Sequence, residues 1–231
     1  MALLENPSVS EPDVVQLLER LDLSANVLVA VANAANWISS ESVRFRLARH
    51  PKAPRRVAVS LLRQLFLFDL VRVSLLPSTP AEIRRAAEAM ILTRIPHLPV
   101  GEKLTLARRG PSRVAGAILA EGHPQAIKLA LGNSFITESQ ILKVLAKLEV
   151  PARVLIAIAQ HPKWSCQYNV RLALIRNVHT PVPVISAILP DLTLRDLREI
   201  AKNESLPEHA RAYVRRELAR REEDEHNGIN D

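Results

Sequence analysis

Five basic residues each follow an apolar one in what reads as the first turn of a helix: Val43-Arg44, Ile83-Arg84, Ile127-Lys128, Val170-Arg171 and Ala210-Arg211. The steps between them are 40, 44, 43 and 40 residues. A cation there faces the positive end of the helix macrodipole and costs about 0.3–1 kcal/mol unless it is paired. Something other than helix stability must favour the ladder. Glu41, Glu82 and Glu208 stand two or three residues earlier and support a structural reading, ion pairs along a repeat seam. Lys128 and Arg171 have no acid so near, which keeps a second reading open: cations offered to a partner.

Trp37 and Trp164 each stand six residues before their Val-Arg pair and so share one repeat position. They read as plugs of one inter-helix gap, since aromatics bury large areas, or as anchor residues for a partner. His50, His123 and His161 each precede a proline and read as turn and cap residues. No HExxH or CxxC spacing points to a metal, no glycine-rich loop would cradle phosphate, and Ser165-Cys166 has no base at a recognisable spacing. Neither catalytic residues, a cofactor nor a metal is expected. The candidates for partner binding are Arg44, Arg84, Lys128, Arg171, Arg211, Trp37 and Trp164.

The elements that would position these residues repeat with the ladder. A turn of the form His50-Pro51-Lys52-Ala53-Pro54 recurs as Asn6 to Ser10, Asn133 to Thr137 and Asn177 to Pro181. Helices begin near Ser24, Phe68, Pro111, Pro151 and Thr193, again 40 to 44 residues apart. Three phases with one period make a repeat of about 42 residues. Capping signals divide each unit into three short helices, expected near 40–49, 54–66 and 68–76, then 79–94, 99–109 and 111–121, then 124–132, 137–148 and 151–160, then 165–176, 181–189 and 193–202. Thr79-Pro80-Ala81-Glu82 is the clearest helix start, a capping box with proline at the first helical position. Ser10 and Ser24 cap two helices of a partial first unit, and a last helix runs from about Pro207 to Asp224. Val154 to Ala159 is apolar all round and belongs between two layers. Helices of ten residues are marginal alone in water, so packing between neighbouring units must hold them.

The sequence thus predicts an all-α chain, a right-handed α-α superhelix of about four three-helix units plus partial end units. The expected division is a flexible N-terminus over 1–9, one solenoid domain over 10–224, and a disordered acidic tail over 225–231. Within the domain the units run 10–39 (partial), 40–78, 79–122, 123–163, 164–204 and 205–224 (partial).

Composition agrees. Of 231 residues 48% are hydrophobic, only 3% are aromatic and six are glycine, which suits helices better than a sheet. The single cysteine, Cys166, precludes an internal disulfide and fits a reducing cytosol. No signal peptide and no membrane span is apparent, because the greasiest windows are short or broken by charge. A soluble, cytoplasmic protein is expected. The net charge is +7, unevenly placed: residues 41–115 carry fifteen Lys and Arg against five Asp and Glu. An acidic partner would be drawn there.

The segments VRFRLARHPKAP and VRLALIRNVHTP resemble the armadillo/HEAT class of α-solenoid repeats, and in particular its bacterial leucine-rich-variant relatives. The resemblance runs from Ser10 to about Arg220 and lies in spacing, caps and Val-Arg pairs. Many HEAT repeats carry an Asp five residues before that pair; here the position holds Ile38, Ser78, Gly122, Ser165 and Ser205. Such families imply an elongated scaffold offering a groove to a partner. The expected function is a non-catalytic scaffold presenting a basic groove to a protein or peptide with an acidic surface. The alternative is binding to a nucleic-acid backbone, with the low aromatic count arguing against reading of unstacked bases. An enzyme of the HEAT-like DNA glycosylase kind is similar in length and charge, but no motif of it is present. No membrane partner is expected.

Overall fold

The computed structural model describes residues 8–204 and 206–227. The ends of the expected flexible N-terminus and acidic tail, residues 1–7 and 228–231, and with them the turn copy at Asn6, lie outside the described residues. All regular structure among the described residues is helical, and no helix there is long and apolar enough to cross a membrane. The chain clusters into two compact units, Met1–Pro99 and Val100–Asp231.

The N-terminal unit holds α1 (Glu11–Leu17), α2 (Ala25–Asn33), α3 (Ala35–Ile38), α4 (Glu41–Arg49), α5 (Arg55–Leu62), α6 (Leu67–Leu75) and α7 (Ala81–Arg94). The C-terminal unit holds α8 (Val100–Arg109), α9 (Ser112–Glu121), α10 (Pro124–Leu131), α11 (Glu138–Leu145), α12 (Ala152–Gln160), α13 (Pro162–Ser165), α14 (Tyr168–Arg176), α15 (Val182–Ile188), α16 (Leu194–Ala201) and α17 (Glu208–Asn227). The helix that closes the chain thus runs three residues into the stretch expected to be disordered.

Side-chain caps set several helix starts. The hydroxyls of Ser40, Thr137 and Thr193 accept from the N–H groups of Val43, Gln140 and Asp196. At Ser10 the carboxylate of Asp13 takes the backbone N–H at 2.9 Å. Two expectations are corrected. Ser24 occupies the cap position of α2 without a side-chain hydrogen bond. The expected Thr79 capping box does not form, because Pro80 is itself the N-cap, with extended backbone. The Thr79 hydroxyl is left buried without a partner, and Glu82 turns to Arg55 at 3.1 Å. Two four-residue helices fall outside the expected pattern: α3 follows α2 after Ala34, and α13 fills the gap between the expected helices 151–160 and 165–176, the second of which begins only at Tyr168. The helix at Val154 to Ala159 buries Val154, Leu155 and Ile158 while Ile156 stays partly exposed.

One packing rule repeats within each unit. A helix of the ladder phase packs on the second and third helices of the repeat before it: α4 on α1 and α2, α7 on α5 and α6, α10 on α8 and α9, α14 on α11 and α12, α17 on α15 and α16. The apolar residue of each pair, Val43, Ile83, Ile127, Val170 or Ala210, is buried at that seam.

Each seam is also closed by a side chain reaching back about 30 residues. His50 Nε2 donates to the Arg20 carbonyl at 2.9 Å, and its Nδ1 accepts from the Lys52 N–H. Asn133 donates to the carbonyls of Ala107 and Gly110 at 2.8 and 3.0 Å and accepts from the Phe135 N–H. Asn177 does the same with Leu145 at 2.7 Å and the His179 N–H. In the two remaining repeats an arginine takes this place. Arg94 donates to Leu65 at 3.1 Å, and Arg221 donates to Leu192 and Leu189 at 2.6 and 2.8 Å. Every acceptor lies at or just after the C-terminal end of a helix, where carbonyls lack partners within the helix. His50, Asn133 and Asn177 are buried polar groups, and these bonds satisfy them.

Candidate functional site

The ladder lies in the first turn of α4, α7, α10, α14 and α17. With the preceding apolar residue buried, each cation leaves the core at the helix shoulder. Arg44, Arg84, Arg171 and Arg211 are half-buried there, and Lys128 is exposed. Arg44 donates through Nη1 to the carbonyls of Ile38 and Ser39 at 2.9 and 2.8 Å. Arg171 donates through Nε to the Ser165 carbonyl at 2.6 Å. Both thus cap the C-terminal ends of the four-residue helices α3 and α13, where a positive charge is favourable. Arg211 pairs with Glu208 at 2.5 Å. The Nε of Arg84 is buried without a partner.

The acids are distributed differently from the sequence expectation. Glu208 does neutralise its rung. Glu82 pairs with Arg55 instead of Arg84. Glu41 hydrogen-bonds with Asp69, which holds its carboxyl above the usual carboxylate range; the pull of Arg44 in the other direction is weaker. Three of the five rungs are therefore occupied by partners in their own fold.

Arg171 is also part of a cavity. A volume of about 540 Å³ in the C-terminal unit is lined by Ile156 of α12, Arg171 of α14, Pro181, Val184 and Ile188 of α15, and Asp191. The walls are mostly apolar, with Gln160 and Ser165 at one side, and the guanidinium meets one carboxylate, with Arg171 Nη1 3.3 Å from Asp191 Oδ2. Arg171 is held by Ser165 on one side and by half-exposed Asp191 on the other. An apolar pocket with one fixed cation accepts an aliphatic group next to a carboxylate. The Asp191 carboxylate occupies the place that such a ligand's anion would take.

The two tryptophans occupy the third position of α3 and α13. Trp164 is 1% exposed, its Nε1 donates to the Leu131 carbonyl at 3.2 Å, and Lys163 Nζ lies 4.2 Å from its ring centroid. It fills the core and presents no face to a partner. Trp37 is half-buried, and its Nε1 is buried without a partner among the described residues. His161 accepts from the Lys163 N–H at 3.2 Å, and burial, with Lys163 beside it, lowers its pKa. Among the described residues no group of three or more His, Cys, Asp and Glu is placed to hold a metal ion.

A second basic site did not emerge from the ladder. On α5 the buried face is Ala58, Leu61 and Leu62, and the opposite face carries Arg55, Arg56, Ser60 and Arg63. These residues and Val59 line an open pocket of about 590 Å³. The sequence signal was the Arg55-Arg56 pair at a helix start, against the macrodipole.

Compared with protein-family models, curated proteins and solved structures, the chain matches none significantly.

Proposed function

We propose that the chain is a non-catalytic binding scaffold, a right-handed α-α superhelix of armadillo/HEAT-like repeats similar to the leucine-rich-variant kind, acting in the cytosol. Its partner is a protein that presents an acidic, amphipathic peptide segment. The observation that carries this reading is the Arg171 cavity, where one ladder cation, held through Nε by the Ser165 carbonyl and ion-paired to the half-exposed Asp191, faces an apolar wall from α12 and α15. A partner carboxylate replaces Asp191 on Arg171, while a leucine or isoleucine beside it enters the space bounded by Ile156, Val184 and Ile188. The repeated seam packing supports the scaffold part, since repeats of this kind hold one another nearest neighbour to nearest neighbour and leave continuous surfaces open.

The test is a titration of the full chain with a fluorescent peptide of alternating leucine and glutamate. Val184→Trp fills the cavity and is expected to weaken binding at least tenfold, while Lys128→Ala, at an exposed rung on α10, changes it little. Equal affinity in wild type and Val184→Trp would reject the cavity as the site.

A further inference from the structure

The N-terminal unit carries a surface that this reading does not use. Arg55, Arg56 and Arg63 stand on the solvent face of α5, and no ion pair or hydrogen bond of the Arg56 or Arg63 guanidinium exists among the described residues. The Arg55–Glu82 pair is mostly exposed at both partners and so exchanges readily with another anion. α5 contains no acid, and its first turn holds two arginines where cations are disfavoured. The nearby Asp69 is engaged by Arg72 at 3.0 Å and by Glu41. From Arg56 to Arg63 is two helical turns, about 10.5 Å along the axis.

The same surface continues into aromatics. Phe66 and Phe68 are 63% and 45% exposed, while Leu67 between them is buried. Phe66 is the extended N-cap of α6 and stands three residues after Arg63, within about 11 Å of it along the chain. Two of the four phenylalanines thus stand exposed three and five residues after Arg63, an exposed arginine with no acidic partner among the described residues. The turn that joins them is fixed: Arg94 of α7 donates to the carbonyl of Leu65, and more weakly to that of Arg63. The two rings and the three guanidinium groups are all exposed within one short stretch of the N-terminal unit, residues 55–68. Cations along a backbone track and open rings beside it are what a single nucleic-acid strand requires, charge for phosphates and π-faces for unpaired bases.

The geometry points to this surface, Arg55 and Arg56 of α5 and Arg63 at its C-cap with Phe66 and Phe68 at the start of α6, as a binding site for single-stranded nucleic acid. The arginines follow two or three consecutive phosphates, and bases stack on the phenylalanines. The low aromatic content of the chain is no obstacle, because the rings needed are local.

The experiment is fluorescence anisotropy of a labelled twelve-residue oligothymidylate with the full chain over a series of salt concentrations. Binding is expected, weakening as salt rises. Arg56→Glu/Arg63→Glu is expected to lose at least tenfold in affinity and to flatten the salt slope by about 1.4, the contribution of two single-strand phosphates. Phe66→Ala/Phe68→Ala is expected to lose about tenfold while the salt slope stays the same. All four residues are exposed, and circular dichroism of each variant should match wild type. No binding at low salt would overturn the proposal. So would wild-type affinity in Phe66→Ala/Phe68→Ala, or equal affinity for an abasic strand or a polyglutamate of the same charge, since either would mean that charge alone is recognised and that an acidic protein segment fits as well.

Discussion

Arg44 and Arg171, three repeats apart, make the same contact: each donates a guanidinium N–H to the carbonyl six residues upstream, Ile38 in one case and Ser165 in the other. In both, a main-chain carbonyl at the end of a four-residue helix receives the cation. The two arginines differ in how they reach it. Arg44 serves its two carbonyls from one nitrogen, whereas Arg171 uses Nε for Ser165 and Nη1 for Asp191.

A lysine can reproduce a one-nitrogen contact but not a two-nitrogen one. Arg44→Lys is expected to cost about 0.5 kcal/mol, and Arg171→Lys about 1.5–3 kcal/mol, the scale of hydrogen bonds to charged groups. Urea unfolding midpoints of the two variants measure the difference, and equal losses would contradict the contact geometry.

The reach-back side chains make a second prediction. Asn177→Ala removes the donor to Leu145 and the acceptor of the His179 N–H, both at a buried seam. The expected loss is about 1–3 kcal/mol, because a buried carbonyl is left without a partner. Arg94→Ala is expected to lose a similar amount through Leu65. Hydrogen exchange tells the cases apart: Asn177→Ala should lower protection of the His179 amide, which its side chain holds, and leave that of Leu65 unchanged, while Arg94→Ala should do the reverse.

These seams show how much could be read from the sequence. Helix positions were legible because proline and Ser/Thr caps punctuate the chain at a constant period, and the buried Val/Ile partners of the ladder follow from the same spacing. The reach-back position was visible at His50, Asn133 and Asn177 but hidden at Arg94 and Arg221, where the residue class changes while the acceptor geometry stays the same. α3 and α13 were invisible as separate helices, since one turn has no periodicity to detect. The occupation of Arg44 and Arg171 was hidden too, because a carbonyl acceptor leaves no mark in residue type. Glu82 shows the limit of reading ion pairs from spacing: its partner Arg55 comes from a different helix, while Arg84, two residues away, is left without it.

Glu217 gives a prediction in pH. Its carboxyl is held down at about 2, first by the hydrogen bond from Arg220 and then by that from Arg221, against the opposing effect of burial. Arg221 is the residue that closes the last seam on Leu189 and Leu192, so the carboxylate also holds that donor in place. A carboxyl depressed in the folded state stabilises it fully above the ordinary value of 4.5 and loses that contribution as pH falls towards 2. Glu217→Gln is expected to lower stability by about 2 kcal/mol at neutral pH, with the gap to wild type closing between about pH 4.5 and 2. Unfolding of both proteins followed across that range checks it; a gap independent of pH would contradict the assignment.

The most direct test of the scaffold reading is the affinity of Asp191→Asn for the leucine-glutamate peptide. If the partner's carboxylate takes the place of Asp191 on Arg171, removing the competing charge frees the guanidinium, and binding should tighten by about fivefold or more, a gain that misfolding cannot produce. Binding unchanged or weaker in Asp191→Asn would contradict the account.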